Sequence, residues 1–131
     1  MTQEEKNLVL IDLCGRLPYD IVINDEYGDY INVNIYNANI EHLIDRVVSG
    51  LDKMVLRPLS SMTEEEEAEI ANIIEEVYDF TFRTEELLEM IPMQETFPMA
   101  SIDWFYEKGF DIRGLIPMGL ALEAKEGMYN N

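Results

Sequence analysis

The stretch DYINVNIYNANIEHLIDRVVSGL, residues 29–51, changes its hydrophobic period partway along. From Asp29 to Tyr36 apolar and polar residues alternate. Ile31, Val33 and Ile35 face one way, while Tyr30, Asn32, Asn34 and Tyr36 face the other. A period of two is the mark of a strand with one buried face. After Asn37-Ala38-Asn39 the spacing stretches to the helical repeat, with Ile40, Leu43, Ile44, Val47, Val48 and Leu51 on one stripe. Asn39 suits the N-cap and Gly50 the stop. A strand giving way to an amphipathic helix within 23 residues predicts an α+β fold.

The same reading extends outward. Tyr19–Ile23 is a second strand, joined to the first through the polar turn Asn24–Gly28, so residues 19–36 form an antiparallel hairpin with a loop of about five residues. Gln3–Leu13 reads as a helix, opened by a capping box of Thr2 and Glu5 and ended by Gly15 and Pro18. Val55–Met62 is expected to be an extended linker. Thr63 and Glu66 form a second capping box, and Ile70, Ile73, Ile74 and Val77 carry that helix to about Tyr78. Thr84 caps a shorter helix, Glu85–Met90, and Ser101 caps Ile102–Lys108, with Gly109 at its C′ position. The tail ends in a helical turn and an extended Leu120–Glu123. The prediction is a single α+β domain spanning 1–131, a short antiparallel sheet packed by about four helices. The expected core is Leu10, Leu13, Ile31, Val33, Ile35, Leu43, Ile44, Val47, Ile70, Ile73, Ile74, Val77, Trp104, Phe105 and Leu115.

Composition narrows the function classes. The net charge is −18, from 27 acids against nine bases. The charge argues against direct binding to bare nucleic acid, because phosphates need Lys and Arg to displace their counterions. Anionic membrane is excluded on the same ground, and no apolar run approaches the ~20 residues of a span. The acidic start MTQEEKNLVLIDL does not read as a secretory signal. The single Cys14 leaves no internal disulfide and is expected to be a small buried hydrophobe on the first helix. The chain is expected to be cytoplasmic.

No motif for chemistry emerges. His42, the only histidine, falls on the polar side of its helix with no second His or Cys nearby, so no zinc site is expected. Asn24–Asp29 gathers oxygen ligands around a glycine, but not at EF-hand spacing. Gly114–Gly119 lacks the Lys and Ser/Thr of a phosphate loop. No catalytic, metal or cofactor-binding residues are assigned, and the chain is expected not to be an enzyme. Arg57, one of few bases among many acids, is expected to pair with Asp103 or Asp111.

The charge is unevenly spread. Thr63–Ile91 holds eleven acids and one base, Arg83, a net −10. Like charges three or four apart each cost a helix tenths of a kcal/mol. A concentration this one-sided marks Glu64, Glu65, Glu69, Glu75, Glu76, Asp79 and Glu86 as candidate partner-binding residues, with Tyr78, Phe82 and Met93 as apolar anchors. Such a face favours a basic protein partner of the nucleic-acid-binding kind, met by anionic mimicry. Tyr30 and Tyr36 read either as a second layer packed by a helix or as an exposed contact strip.

Three blocks carry a family resemblance. Asp12–Tyr19, Leu56–Glu66 and the tail from Ile102-Asp103-Trp104-Phe105 through Phe110–Ala124 resemble small acidic proteins of prophages and mobile elements in gut Bacteroidales. From Tyr27 to Met54 the chain departs from that group, having one strand and a helix where a run of strands is expected. The group has no assigned activity, so the resemblance implies a phage or mobile-element setting alone. In that setting the candidate functions are an inhibitor of a host or competitor defence protein, or a structural or assembly accessory of the element.

Overall fold

The computed structural model describes residues 1–78 and 99–129. The chain runs α1 (Gln3–Arg16), β1 (Ile21–Asn24), β2 (Tyr30–Val33), α2 (Ile40–Val48), β3 (Lys53–Leu56), a 3-10 turn (Leu59–Ser61), α3 (Glu64–Tyr78), α4 (Met99–Lys108) and β4 (Ala121–Glu123). It is an α+β fold whose sheet has the order β2-β1-β3-β4. The expected hairpin is present, with Ile21 opposite Val33 and Ile23 opposite Ile31. β1 also pairs antiparallel with β3, and β3 pairs parallel with β4, so the sheet is mixed.

Strand β3 corrects the expected linker at Val55–Met62. It is a central strand with Met54, Val55 and Leu56 fully buried. Covered on both faces, it shows no alternation to read. Met54 and Leu56 join Ile21, Ile23 and Val33 on one face of the sheet, under Val9, Leu13 and Leu17 of α1 and Leu43 and Val47 of α2. Val22 and Val55 point to the other face. There the Tyr129 hydroxyl donates to the Val55 carbonyl and accepts from the Val22 amide. Burial raises the Tyr129 pKa above its ordinary value.

A second core lies between α3 and α4. Ile70 and Ile74 pack on Trp104, Phe105, Tyr106, Phe110 and Ile112, with Ile73 only partly buried. Phe105 meets Trp104 and Phe110 edge-on at 5.1 and 6.0 Å.

Several local expectations hold for the stated reasons. Thr2 and Glu5 form a reciprocal capping box, and its hydrogen bonds lower the Glu5 pKa. Asn39 caps α2 by accepting from the His42 amide. Others are corrected. Gly15 does not end α1 but lies inside it, because the Tyr106 ring fills the space a side chain would need. Ser101 is not a cap, since α4 starts at Met99. Cys14 is exposed, not buried. Ile31 and Ile35 stay 44% exposed, as does about half of Leu51. β2 is an edge strand and ends at Val33, short of the expected Tyr36, so Ile35 lies in the turn that follows, and Leu51 lies beyond the end of α2. Tyr30 and Tyr36 are likewise exposed, which removes the packed-layer reading. The helix expected at Glu85–Met90 lies outside the described residues.

Candidate protein-docking face

Helix α3 opens with the expected capping box. Thr63 Oγ1 accepts from the Glu66 amide at 3.2 Å, and Glu66 Oε1 accepts from the Thr63 amide at 3.0 Å. Four acids fill its first turn, where the exposed N–H groups favour negative charge. They do not share one fate. Glu66 turns inward and is buried, whereas Glu64 and Glu65 are exposed, as are Glu69, Glu75 and Glu76 further along. The helical repeat separates these five from Ile70 and Ile74, both fully buried.

Glu66 meets Arg57, which corrects the expected pairing with Asp103 or Asp111. The guanidinium makes two parallel hydrogen bonds of 2.7 Å to the two Glu66 oxygens. It also lies 4.1 Å above the Phe110 ring. Burial pushes the Glu66 carboxyl up, but the bonds from Arg57 and Thr63 outweigh it and hold the pKa below its ordinary value. Asp111 is spent elsewhere, accepting from the Leu115 and Ile116 amides.

The other arginines of the described residues also sit in ion pairs. Arg16 grips the fully buried Asp12 at 2.6 Å and donates to the Phe110 carbonyl. Arg113 reaches the same Asp12 at 2.7 Å. Arg46 bridges Glu26 and Asp52. Lys108 lies 3.7 Å from Glu69 and near the Trp104 ring. These cations are drawn into the structure's own contacts. Apart from Glu69, the outward carboxylates Glu64, Glu65, Glu75 and Glu76 face solvent, with no base on their own helix.

Sequence reasoning missed the Asp12–Arg16–Arg113 cluster. A signal was present: Asp12 and Arg16 are four apart on the side of α1 that carries Val9 and Leu13, where a lone charge would be costly.

Of the candidate residues, Glu64, Glu65, Glu69, Glu75 and Glu76 share the outer side of α3. Glu69 is partly committed, accepting from the Trp104 indole N–H at 2.8 Å. Tyr78 is the last residue of the helix. Asp79, Phe82, Glu86 and Met93 lie outside the described residues. Beside the start of α3 is a depression of about 460 Å³ lined by Glu64, Glu65, Glu66, Glu69 and Lys108. This arrangement suits electrostatic capture of a cationic surface. Among the described residues, no group of three or more His, Cys, Asp and Glu is placed to hold a metal ion. Among the same residues, no helix is long and apolar enough to cross a membrane. No protein-family model matches the sequence, and comparison with curated proteins and with solved structures finds no relative.

Proposed function

We propose that the chain is a non-catalytic, cytoplasmic binding module of phage or mobile-element origin. Its α3 face docks on the basic site of a nucleic-acid-handling protein, with carboxylates standing in for phosphates. One observation carries this reading. The outward acids Glu64, Glu65, Glu75 and Glu76 stand on a helix without a base, while the arginines of the described residues are bound in the protein's own ion pairs. A solvated face needs no such sorting; scattered lysines would keep it soluble and relieve repulsion. A patch of one sign steers a partner of the other and speeds association.

Affinity capture from the host cell, followed by competition with duplex DNA and RNA, tests the reading. A basic partner released by nucleic acid is expected. An acidic partner, or capture indifferent to nucleic acid, would overturn mimicry and favour the assembly-accessory role.

A further inference from the structure

Charge alone does not give specificity, and binding energy concentrates where apolar side chains enter pockets. The β1–β2 hairpin and α2 enclose a groove of about 390 Å³ between them. Its apolar floor is formed by Ile31, Val33, Ala38 and Leu43. Register places Ile31 opposite Ile23, which is fully buried, yet Ile31 itself is 44% exposed. A large β-branched side chain thus points toward the core side of the sheet without being covered.

The rim decides what could cover it. Asp25 and Glu26 line the groove beside one guanidinium, Arg46, together with the buried Asp52. Arg46 is already bound by Asp52 at 2.9 Å and Glu26 at 3.0 Å. The hairpin turn adds Asp29, which is exposed. The groove is therefore apolar below and negative at the edge. We infer that it receives an aromatic or aliphatic side chain from a lysine- or arginine-bearing segment of a partner protein, the side chain on Ile31 and Leu43 and the flanking cations on the rim. The site is built without α3, and its test does not depend on the α3 reading.

The probe is the peptide acetyl-Lys-Lys-Phe-Lys-Lys-amide, titrated into the full chain at 150 mM salt and followed by amide NMR. Shifts are expected to centre on Ile31, Val33 and Leu43. A glycine-centred peptide of equal charge should bind about tenfold more weakly, the worth of one buried apolar side chain. Ile31→Asp makes the groove more acidic, so pure charge attraction would strengthen binding. Weakening of about tenfold is expected instead, for the same loss of apolar contact. Ile31→Ala, which keeps the strand's surface neutral, should weaken binding in the same direction while the amide spectrum away from the groove stays that of the folded parent. Equal affinity of the two peptides, shifts centred elsewhere, or no binding would each overturn the assignment. Reversing charges on α3 should leave the shifted residues the same.

Discussion

Replacing Arg57 by Ala is expected to be among the most damaging single changes in this protein. Arg57 follows central strand β3, and its backbone bonds Gly109 and Asp111 on the segment after α4. Its guanidinium holds Glu66 of α3 and covers Phe110. One side chain thus links the sheet to both helices of the second core. Removing it leaves the Glu66 carboxylate buried beside an empty space, which costs roughly 3–5 kcal/mol. Losing the cation over the Phe110 ring adds about 1 kcal/mol. Domains of this size are stable by only about 5–15 kcal/mol. At roughly 4 °C per kcal/mol, melting should fall by about 16–24 °C. Thermal unfolding followed by circular dichroism measures it. The double change Arg57→Leu with Glu66→Leu should recover much of the loss, because no charge is then stranded. A fall below about 4 °C for the single change, or a double mutant no better than the sum of its parts, would refute the linking role.

Further expectations follow from single contacts. Gly15→Ala should destabilise the protein, although alanine within a helix ordinarily gains about 1 kcal/mol over glycine; the added methyl would lie 2.6 Å from the Tyr106 ring, and a denaturant midpoint gives the sign. Ile74→Ala should cost about 2–5 kcal/mol, and Ile73→Ala clearly less, since only Ile74 is fully enclosed; chemical denaturation of the two compares them. The Glu66 pKa is lowered on folding, so its contribution is present above the ordinary value of 4.5 and is lost as pH falls through the folded value. Glu66→Gln should therefore be less stable than the parent at pH 7, with the gap narrowing below about pH 4.5, as melting curves across pH would show.

The hairpin, the capped helices and the stripes on α2 and α3 were legible because each sets an exposed face against a buried one. Periodicity reports that contrast and little else. Strand β3 was hidden for the same reason: Met54, Val55 and Leu56 are all enclosed, so nothing alternates. Ile31 and Ile35 carry the pattern of buried residues, yet Ile31 sits on an edge strand with no second strand beside it, and the strand ends at Val33, leaving Ile35 in the turn beyond. Gly15 looked like a helix stop, but it is a close-approach site, set by Tyr106 from 91 positions away. At the candidate face, composition located the acids but not their division. Glu66 turns inward because Arg57 is there to receive it, a tertiary fact with no local signature beyond the capping box. Helical spacing away from Ile70 and Ile74 accounts for the exposure of Glu64, Glu65, Glu69, Glu75 and Glu76.

The most direct test of the α3 face is the association rate with the captured partner as a function of salt. The variant Glu65→Lys, Glu75→Lys, Glu76→Lys spares Glu66 and Glu69, which serve the fold through Arg57 and Trp104. It should melt close to the parent temperature, since relief of like-charge repulsion along the helix offsets the first-turn acid lost at Glu65. The parent's association rate should fall steeply as salt rises toward physiological strength, where fields are screened within about 8 Å. The variant's rate should be at least about tenfold lower at low salt and nearly flat with salt. Equal rates and equal salt slopes for the two proteins would contradict docking through α3 and leave its acids as a solvated surface.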